Sequence, residues 1–181
     1  MNDEDYGFII DQMLWSFSRL NSFYNCPYEW KRKYIDCEYG EPGFFGEFGT
    51  LCHSLLERHI KGDISIFELS QCYENEFNDV VVHDAPPNQY VDIRQSYFDK
   101  GLDFFNNIDL QLVNYDILGV EKEVRFQLGG KEFIGFIDLL LREKITGRII
   151  ILDHKSASLK FKKNGEVSKT DSKHFLEFKR Q

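Results

Sequence analysis

Two aspartates, Asp138 and Asp153, and a lysine, Lys155, accompany two apolar runs in the segment FIGFIDLLLREKITGRIIILDHK, which covers residues 133–155. Asp138 lies within the first apolar run, and Asp153 and Lys155 follow the second. Two close carboxylates repel each other unless a cation or a proton lies between them. A hard divalent cation prefers oxygen ligands of this kind. The segment therefore predicts a metal site with a lysine beside it, if the fold brings the aspartates together.

The predicted fold of this segment does bring them together. A short polar break containing Gly147 separates the two apolar runs, which is typical of a β-hairpin. If the turn centres between Ile145 and Thr146, Asp138 and Asp153 lie directly opposite each other, with Cβ atoms roughly 4.5–5.5 Å apart. An Asp-x-Lys triplet alone occurs by chance in many proteins, and aspartates at strand ends often only cap turns. The pairing with Asp138 is what makes a catalytic interpretation stronger.

Hydrophobic periodicity and capping signals predict the elements that position these residues. The sequence predicts a helix from Ser16 or Ser18 to about residue 25, further helices over about 27–34, 48–61, 64–80 and 88–107, and a loop over 40–46. It predicts strands over about 115–128, 132–142 and 148–154, and a last helix capped by Thr170 or Asp171. Helices followed by a strand meander and a helix indicate an α/β or α+β domain.

Composition limits the class of protein. The chain has 181 residues, of which 42% are hydrophobic, and this suits one domain with a full core. No apolar run approaches the ~20 residues that span a bilayer, and the acidic N-terminus, MNDEDYGF, is unlike a secretory signal. The four cysteines form no CxxC pair, which argues against a zinc ribbon and favours reduced thiols in a cytoplasmic protein.

The charge distribution leaves two interpretations open. The net charge of −8 argues mildly against a nucleic-acid partner. Residues 155–181, however, hold eight Lys/Arg and three Asp/Glu, a balance of +5, so the remainder carries −13. This basic segment directly follows the predicted metal site, where a phosphate backbone could run. Its polar composition is equally consistent with a solvated loop.

Five short motifs occur in a recognisable order, although each is weak alone. They are SFSRLNSFYNCPYEWKRKY (16–34), GTLCH (49–53), GVEKEV (119–124), GFID (135–138) and ILDHK (151–155). Their order and spacing resemble the PD-(D/E)xK nuclease superfamily, most closely its RecB-type branch of helicase-nuclease domains and CRISPR-adaptation nucleases. The resemblance implies a restriction-endonuclease-like α/β core with a mixed sheet flanked by helices. It also implies a single domain over 1–181, with an N-terminal helical part (about 16–107) and a catalytic sheet core (about 115–181).

The same resemblance implies the roles of individual residues. His53, which by itself would more often be a packed or surface histidine, matches the helix histidine that binds metal in that branch. Asp138 and Asp153 match the two metal-binding acids, and Lys155 matches the lysine beside the attacking water. Glu121 matches the acid that supports the site from the preceding strand.

Three further assignments belong to this hypothesis. Glu123 is the alternative to Glu121, and the backbone carbonyl of His154 is a further oxygen ligand for the metal. Gln181 matches the glutamine of a Q-x-x-x-Y motif, whose tyrosine lies beyond the last residue of this sequence. The ending is therefore consistent with a fragment of a longer protein.

The positions of the cysteines indicate whether this chain could hold an iron–sulfur cluster. Some relatives in this branch hold an iron–sulfur cluster through one cysteine in an N-terminal Cys-Pro motif and three near the C-terminus. Cys26 and Pro27 match the first position, but the other three cysteines, at 37, 52 and 72, lie in the wrong region. Because a cluster needs about four thiolates, no iron–sulfur cluster is expected in this chain.

These observations predict a DNA nuclease that depends on Mg²⁺ or Mn²⁺ and acts in DNA repair, recombination or phage or CRISPR DNA processing. Exonuclease action is favoured over endonuclease action. The predicted partners are DNA and a helicase or recombination protein, and no membrane. The main alternative is a catalytically inactive nuclease-fold module that binds nucleic acid or a protein. Another metal hydrolase and a purely structural domain are further alternatives, which metal binding would distinguish.

Overall fold

The computed structural model describes residues 3–154, with side chains described from Tyr6 onward. This part of the chain contains the helices α1 (Asp3–Asp11), α2 (Phe17–Asn25), α3 (Pro27–Tyr34), α4 (Phe44–Lys61), α5 (Leu69–Val80) and α6 (Ile93–Asn107). A short 3₁₀ turn at Leu112–Asn114 leads into the strands β1 (Tyr115–Leu128), β2 (Lys131–Glu143) and β3 (Ile149–Leu152). The α/β class predicted from the sequence is confirmed.

Helices α4, α5 and α6 enclose the main apolar core of the described residues. Helix α4 turns one face inward because its apolar residues recur at helical spacing, as at Leu51 and Leu55. The buried members of this core are Phe44, Phe48, Leu51, Cys52, Leu55, Leu56, Leu69, Tyr73, Phe77, Val81 and Phe105. Large side chains that lose all contact with water contribute most of the folding free energy of a domain. The three helices therefore carry most of the stability of the described residues.

The contact between α5 and α6 depends on one glycine. Tyr73 is fully buried, and its hydroxyl donates a hydrogen bond to the carbonyl of Tyr97 at 3.2 Å. Its ring lies directly against Gly101, where a Cβ atom would approach the Tyr73 hydroxyl to 2.2 Å. A side chain at this position would therefore push the two helices apart.

Helix α4 begins earlier than the sequence predicts. The glycines and the proline of residues 40–46 predict a loop, but the helix already starts at Phe44, after the N-cap Gly43. Phe44 is buried in the core, and the carboxylate of Glu47 accepts hydrogen bonds from the His83 backbone N–H (2.9 Å) and ring Nδ1 (2.6 Å). These tertiary contacts stabilise a first turn that local propensity disfavours.

Helices α5 and α6 begin five residues later than predicted. The residues that precede them form turns closed by polar side chains. Before α5, the Glu68 carboxylate accepts a hydrogen bond from the Ser65 N–H at 2.8 Å. The Asp92 carboxylate caps α6 by accepting the Gln95 N–H at 3.0 Å. Helix α1 was not predicted.

The three strands form an antiparallel sheet in the order β1-β2-β3. Strands β1 and β2 are joined by Gly129 and Gly130, which both have positive φ (59° and 76°) and so make the tight turn that a long hairpin requires. Strand β1 has the predicted bounds, whereas β3 ends at Leu152, two residues before its predicted end. The sheet is antiparallel throughout the described strands, and its one parallel contact is the isolated bridge between Trp15 and Phe133.

This bridge attaches the N-terminal helices to the sheet. The Trp15 N–H donates to the Glu132 carbonyl at 2.8 Å, and the Ile134 N–H donates to the Trp15 carbonyl at 2.7 Å. The Trp15 indole stacks on Trp30 of α3, with ring centroids 5.9 Å apart. Ser16 then caps α2, as predicted, by accepting a hydrogen bond from the backbone of the third helical residue.

The hairpin of β2 and β3 has the predicted register. Leu139 pairs with Leu152 and Leu141 pairs with Ile150, so the turn is centred between residues 145 and 146. One step beyond the last pair, this register places Asp153 opposite Asp138. None of the helices in residues 3–154 has the length and apolar character needed to cross a membrane.

Candidate metal site

Helix α4 presents His53 to the sheet. Leu51, Leu55 and their neighbours face the helical core, which leaves His53 on an adjoining side of the helix that approaches β1. The His53 side chain is half-buried, with 35% of its surface exposed. Cys52, its neighbour, is buried in the core, and burial raises the pKa of its thiol to about 12. The thiol therefore stays protonated at neutral pH and is a poor metal ligand.

Strand β1 presents Glu121 through an unusual backbone conformation. The pairing with β2 shifts by one residue between Ile117 and Gly119, which marks a β-bulge. Glu121 itself has a φ of 47°, in the left-handed region that favours glycine. Such strain costs about 1–3 kcal/mol and is concentrated at functional sites. The Glu121 Oε1 atom lies 4.0 Å from the Nδ1 atom of His53.

Strand β2 presents Asp138, the most buried member of the group. Its side chain is 13% exposed, and its Oδ2 atom lies 3.7 Å from the Nδ1 atom of His53. The same oxygen accepts a hydrogen bond from the backbone N–H of His154 at 2.7 Å. Because His154 follows β3 directly, the end of the hairpin fixes the orientation of this carboxylate.

The three side chains form a compact group of possible metal ligands, here named the polar cluster: His53, Glu121 and Asp138. One ligand atom from each lies within 4.8 Å of the others. The His53 nitrogen is too far from either oxygen for a hydrogen bond. Ligand atoms on an octahedral Mg²⁺ or Mn²⁺ lie about 3 to 4.2 Å apart, given metal–oxygen distances of about 2.1 Å. The observed 3.7 and 4.0 Å separations from His53 therefore fit a shared divalent cation.

The electrostatics of the polar cluster also favour a bound divalent cation. Burial raises the pKa of the Glu121 carboxyl, and the nearby carboxylates of Asp138 and Glu57 raise it further, against the opposing effects of His53 and Lys61. Carboxylates that lie close together repel each other, and a cation bound between them removes this repulsion. A divalent ion would relieve that repulsion.

Glu121, rather than Glu123, belongs to the polar cluster. The Glu123 carboxylate accepts a hydrogen bond from the Arg125 guanidinium at 2.7 Å on the same strand. It thus forms an ordinary exposed ion pair. The pairing of β1 with β2 sets Glu123 opposite Phe136, two residues before Asp138.

The other predicted site residues have different outcomes. Asp153 is exposed and lies just beyond β3, but its carboxylate is not part of the three-residue group found among the described residues. The His154 ring is half-buried and stands edge-on to His53, with ring centroids 6.4 Å apart. Its Nε2 atom is buried and has no hydrogen-bond partner within the described chain, and burial lowers the pKa of its imidazole. Lys155 and Gln181 lie outside the described residues.

Two residues near the polar cluster were not predicted from the sequence. Glu57 and Lys61 follow His53 at positions i+4 and i+8 of α4, so helical spacing places them on its side. The Lys61 ammonium forms a close ion pair with the Glu57 carboxylate, and both interact electrostatically with Glu121. The spacing from His53 was the signal that could have identified them.

Comparison with known proteins adds one finding. A family model described as the PD-(D/E)XK nuclease superfamily matches residues 14–172, which is most of the chain. No curated protein and no solved structure shows significant similarity to this sequence. The matched range contains the whole polar cluster, Asp153 and Lys155.

Proposed function

Because the chain belongs to the PD-(D/E)XK nuclease superfamily, we propose that it is a divalent-metal-dependent deoxyribonuclease whose metal site is the polar cluster. One observation carries the proposal most strongly. Three separate elements, α4, β1 and β2, bring an imidazole and two carboxylates within 4.8 Å of one another. A strained backbone at Glu121 and a backbone hydrogen bond to Asp138 hold two of these groups in place.

In this proposal, His53, Asp138 and Asp153 are metal ligands, and Glu121 supports the site. The carbonyl of His154 supplies a further oxygen ligand. One imidazole among oxygen ligands makes Mn²⁺ competitive with Mg²⁺. When bound, the metal lowers the pKa of coordinated water and neutralises charge on the scissile phosphate.

The chain's own groups then orient the reactants. The His154 N–H donates to Oδ2 of Asp138, and this oxygen, which lies 3.7 Å from His53 Nδ1, keeps a further lone pair for the metal. We assign to Lys155 the orientation of the attacking water or the stabilisation of the negative charge that develops on the phosphate. Gln181 is assigned to the glutamine of the Q-x-x-x-Y motif on the strength of the sequence alone.

The proposal is tested by release of label from single- and double-stranded DNA in Mn²⁺, Mg²⁺ or EDTA. The wild-type protein should cut in either metal and be inactive in EDTA, and the Asp153→Ala and Lys155→Ala proteins should be inactive in all three. Asp109→Ala, an exposed carboxylate beyond α6, is the matched control and should cut at the wild-type rate. Cleavage by Asp153→Ala at the wild-type rate would refute the assignment. A wild-type protein that binds metal and DNA without cutting would instead be an inactive nuclease-fold module.

We further propose exonuclease action within DNA repair, recombination or phage or CRISPR DNA processing, with a helicase or recombination protein as partner. The type of action has a direct test. An exonuclease degrades linear DNA and leaves a covalently closed circle of the same sequence intact. Cleavage of the circle at a similar rate would identify an endonuclease.

A further inference from the structure

The side of α4 that faces the polar cluster continues toward the end of the helix. His53, Glu57 and Lys61 are spaced four residues apart and therefore lie along one side of α4, one turn after another. His53 is nearest to Asp138, and Lys61 is the last residue of the helix. Lys61 and Glu121 interact electrostatically across the gap between α4 and β1.

Among the side chains of this group, exposure is lowest at Asp138 and highest at Lys61, and Glu57 lies between them at 31%. The side chain of Asp138 is 13% exposed, those of His53 and Glu121 are 35% and 36% exposed, and that of Lys61 is 48% exposed. The polar cluster is therefore most buried at Asp138, and Lys61 lies at the more open side, beyond His53 and Glu57 on α4.

The charges near Lys61 determine how a phosphate backbone would bind at this open side. The group contains the carboxylates of Glu57, Glu121 and Asp138, which repel a phosphodiester backbone. Lys61 is a permanent cation that pairs with Glu57 and interacts with Glu121. A single metal ion would offset part of the repulsion between these carboxylates and the reacting phosphate. The outer carboxylates would still repel the neighbouring phosphates.

We propose that Lys61 is a substrate-positioning residue that binds a backbone phosphate next to the scissile one, and that Glu57 holds its ammonium when no strand is bound. This inference rests on the proposed nuclease function and names the part of the substrate that α4 recognises. On binding, Lys61 exchanges the Glu57 carboxylate for a phosphate oxygen. The exchange keeps the Lys61 ammonium paired with an anion in both states.

An ordinary surface ion pair is the competing explanation. A Glu–Lys pair at i and i+4 stabilises an exposed helix by about 0.3–0.5 kcal/mol and has no further role. A lysine at the end of a helix also interacts favourably with the helix dipole. Both effects concern stability and leave the affinity for DNA unchanged, so kinetics separate them from phosphate binding.

The test compares Lys61→Met with the control Lys100→Met in the full chain. Lys100 is an exposed lysine of α6, and its ammonium lies over the Tyr97 ring. With the DNA form that the wild type cuts, Lys61→Met should raise KM about 3-fold to 10-fold at about 0.1 M salt and leave kcat unchanged. The dependence of log(kcat/KM) on log[salt] should become shallower by about one. Lys61→Arg, which keeps the charge, should retain a KM near that of the wild type, and Lys100→Met should match the wild type throughout.

The outcomes separate this inference from the function on which it rests. An active wild type whose KM is unchanged in Lys61→Met overturns the phosphate contact and leaves the nuclease proposal standing. A loss of kcat with unchanged KM overturns it as well, because Lys61 would then act on the reaction itself. A wild type that neither cuts nor binds fluorescein-labelled DNA overturns both proposals. Thermal unfolding of each variant verifies that the compared proteins are folded.

Discussion

The helical core and the polar cluster differ in burial, polarity and backbone strain. The core of α4, α5 and α6 is apolar, and its one buried charged residue within residues 6–154, Glu47, is satisfied by two hydrogen bonds from His83. The polar cluster is half-exposed, keeps its imidazole and carboxylates too far apart for hydrogen bonds, and includes the left-handed Glu121. The core therefore supplies stability, whereas the cluster holds polar groups whose imidazole is not hydrogen-bonded to either carboxylate.

Helix α4 belongs to both regions. One side buries Leu51 and Leu55 in the core, and the adjoining side directs His53 toward β1 and β2. A ligand group carried by a well-packed helix has little freedom, which favours precise coordination. The difference between the regions predicts that activity and stability can be lost separately.

The largest expected effect is the loss of cleavage in Asp138→Asn. The substitution removes a metal-binding charge but keeps an oxygen that can accept the His154 N–H. The cleavage rate should fall at least about 1000-fold, which corresponds to about 4 kcal/mol in transition-state stabilisation. The unfolding midpoint should stay within about 2 °C of wild type, since no apolar contact is lost. Single-turnover cleavage and thermal unfolding measure the two effects.

Asp116→Asn is the control for this variant, because Asp116 is an exposed carboxylate on β1. It should change neither activity nor stability. Wild-type cleavage by Asp138→Asn would show that the polar cluster is not the metal site. A loss of the folded state in this variant would show that the two regions are not separable.

Gly101→Ala is expected to lower the stability of the protein and to leave its cleavage activity unchanged. The new Cβ would lie 2.2 Å from the Tyr73 hydroxyl, and the buried ring has no room to move away. The free energy of unfolding should fall by about 3 kcal/mol, and the unfolding midpoint by roughly 6–12 °C. Cleavage by the folded protein at low temperature should remain close to wild type.

Gly40→Ala serves as the matched glycine control, because a Cβ there meets no atom within 4 Å. Its unfolding free energy should stay within about 0.5 kcal/mol of wild type. Equal stability of the two alanine variants would contradict the close packing of α5 against α6.

A smaller effect distinguishes the two glutamates of β1. Glu121→Gln should lower the cleavage rate about 10-fold to 100-fold, the range typical of groups that support a metal site. Glu123→Gln removes only an exposed ion pair with Arg125 and should leave the rate within about 2-fold of wild type. If Glu123→Gln were the more damaging change, the assignment of Glu121 would be wrong.

The smallest effect concerns the pH dependence of stability near α4. Hydrogen bonds to Glu47 and then to Glu41 raise the pKa of the His83 imidazole, and the nearby Arg94 guanidinium donates a hydrogen bond to the His83 backbone carbonyl at 3.4 Å. Because the folded pKa exceeds the unfolded value near 6.5, the contribution of His83 is complete below about pH 6.5 and is lost as pH rises through the folded pKa.

The measurement is the difference in unfolding midpoint between wild type and His83→Gln from about pH 6 to about pH 9. The difference should be largest at the acidic end and decline toward the basic end. The effect should be small, since His83 is partly exposed and solvent screens its ion pairs. A difference that does not vary with pH would show that protonation of His83 plays no part.

The sequence predicted the parts of this molecule that follow from local pattern. The apolar runs on either side of residues 143–147 predicted the register of the β2–β3 hairpin, and Ser16 was one of two predicted caps for α2. The start of α4 at Phe44 was predicted wrongly, because burial of that side chain and the contact between Glu47 and His83 depend on distant residues. Long-range packing of this kind leaves no local signal.

The candidate site was likewise predicted in part from the sequence. His53, Asp138 and Glu121 were named from motif order, and the structure brings them within 4.8 Å. The sequence resemblance also favoured Glu121 over Glu123, whereas the positive φ of Glu121 was not predicted. The proximity of Lys61 to Glu121 was not predicted, although its spacing from His53 along α4 was a signal for it.

The most direct test of the central claim, that the polar cluster is a divalent-metal site, is a titration with Mn²⁺ followed by electron paramagnetic resonance of the free ion. The wild-type protein should bind Mn²⁺ and release it when excess Mg²⁺ is added. Asp138→Asn should bind at least about 10-fold more weakly, and Asp116→Asn should bind like wild type. Equal Mn²⁺ affinity in wild type and Asp138→Asn would contradict the account.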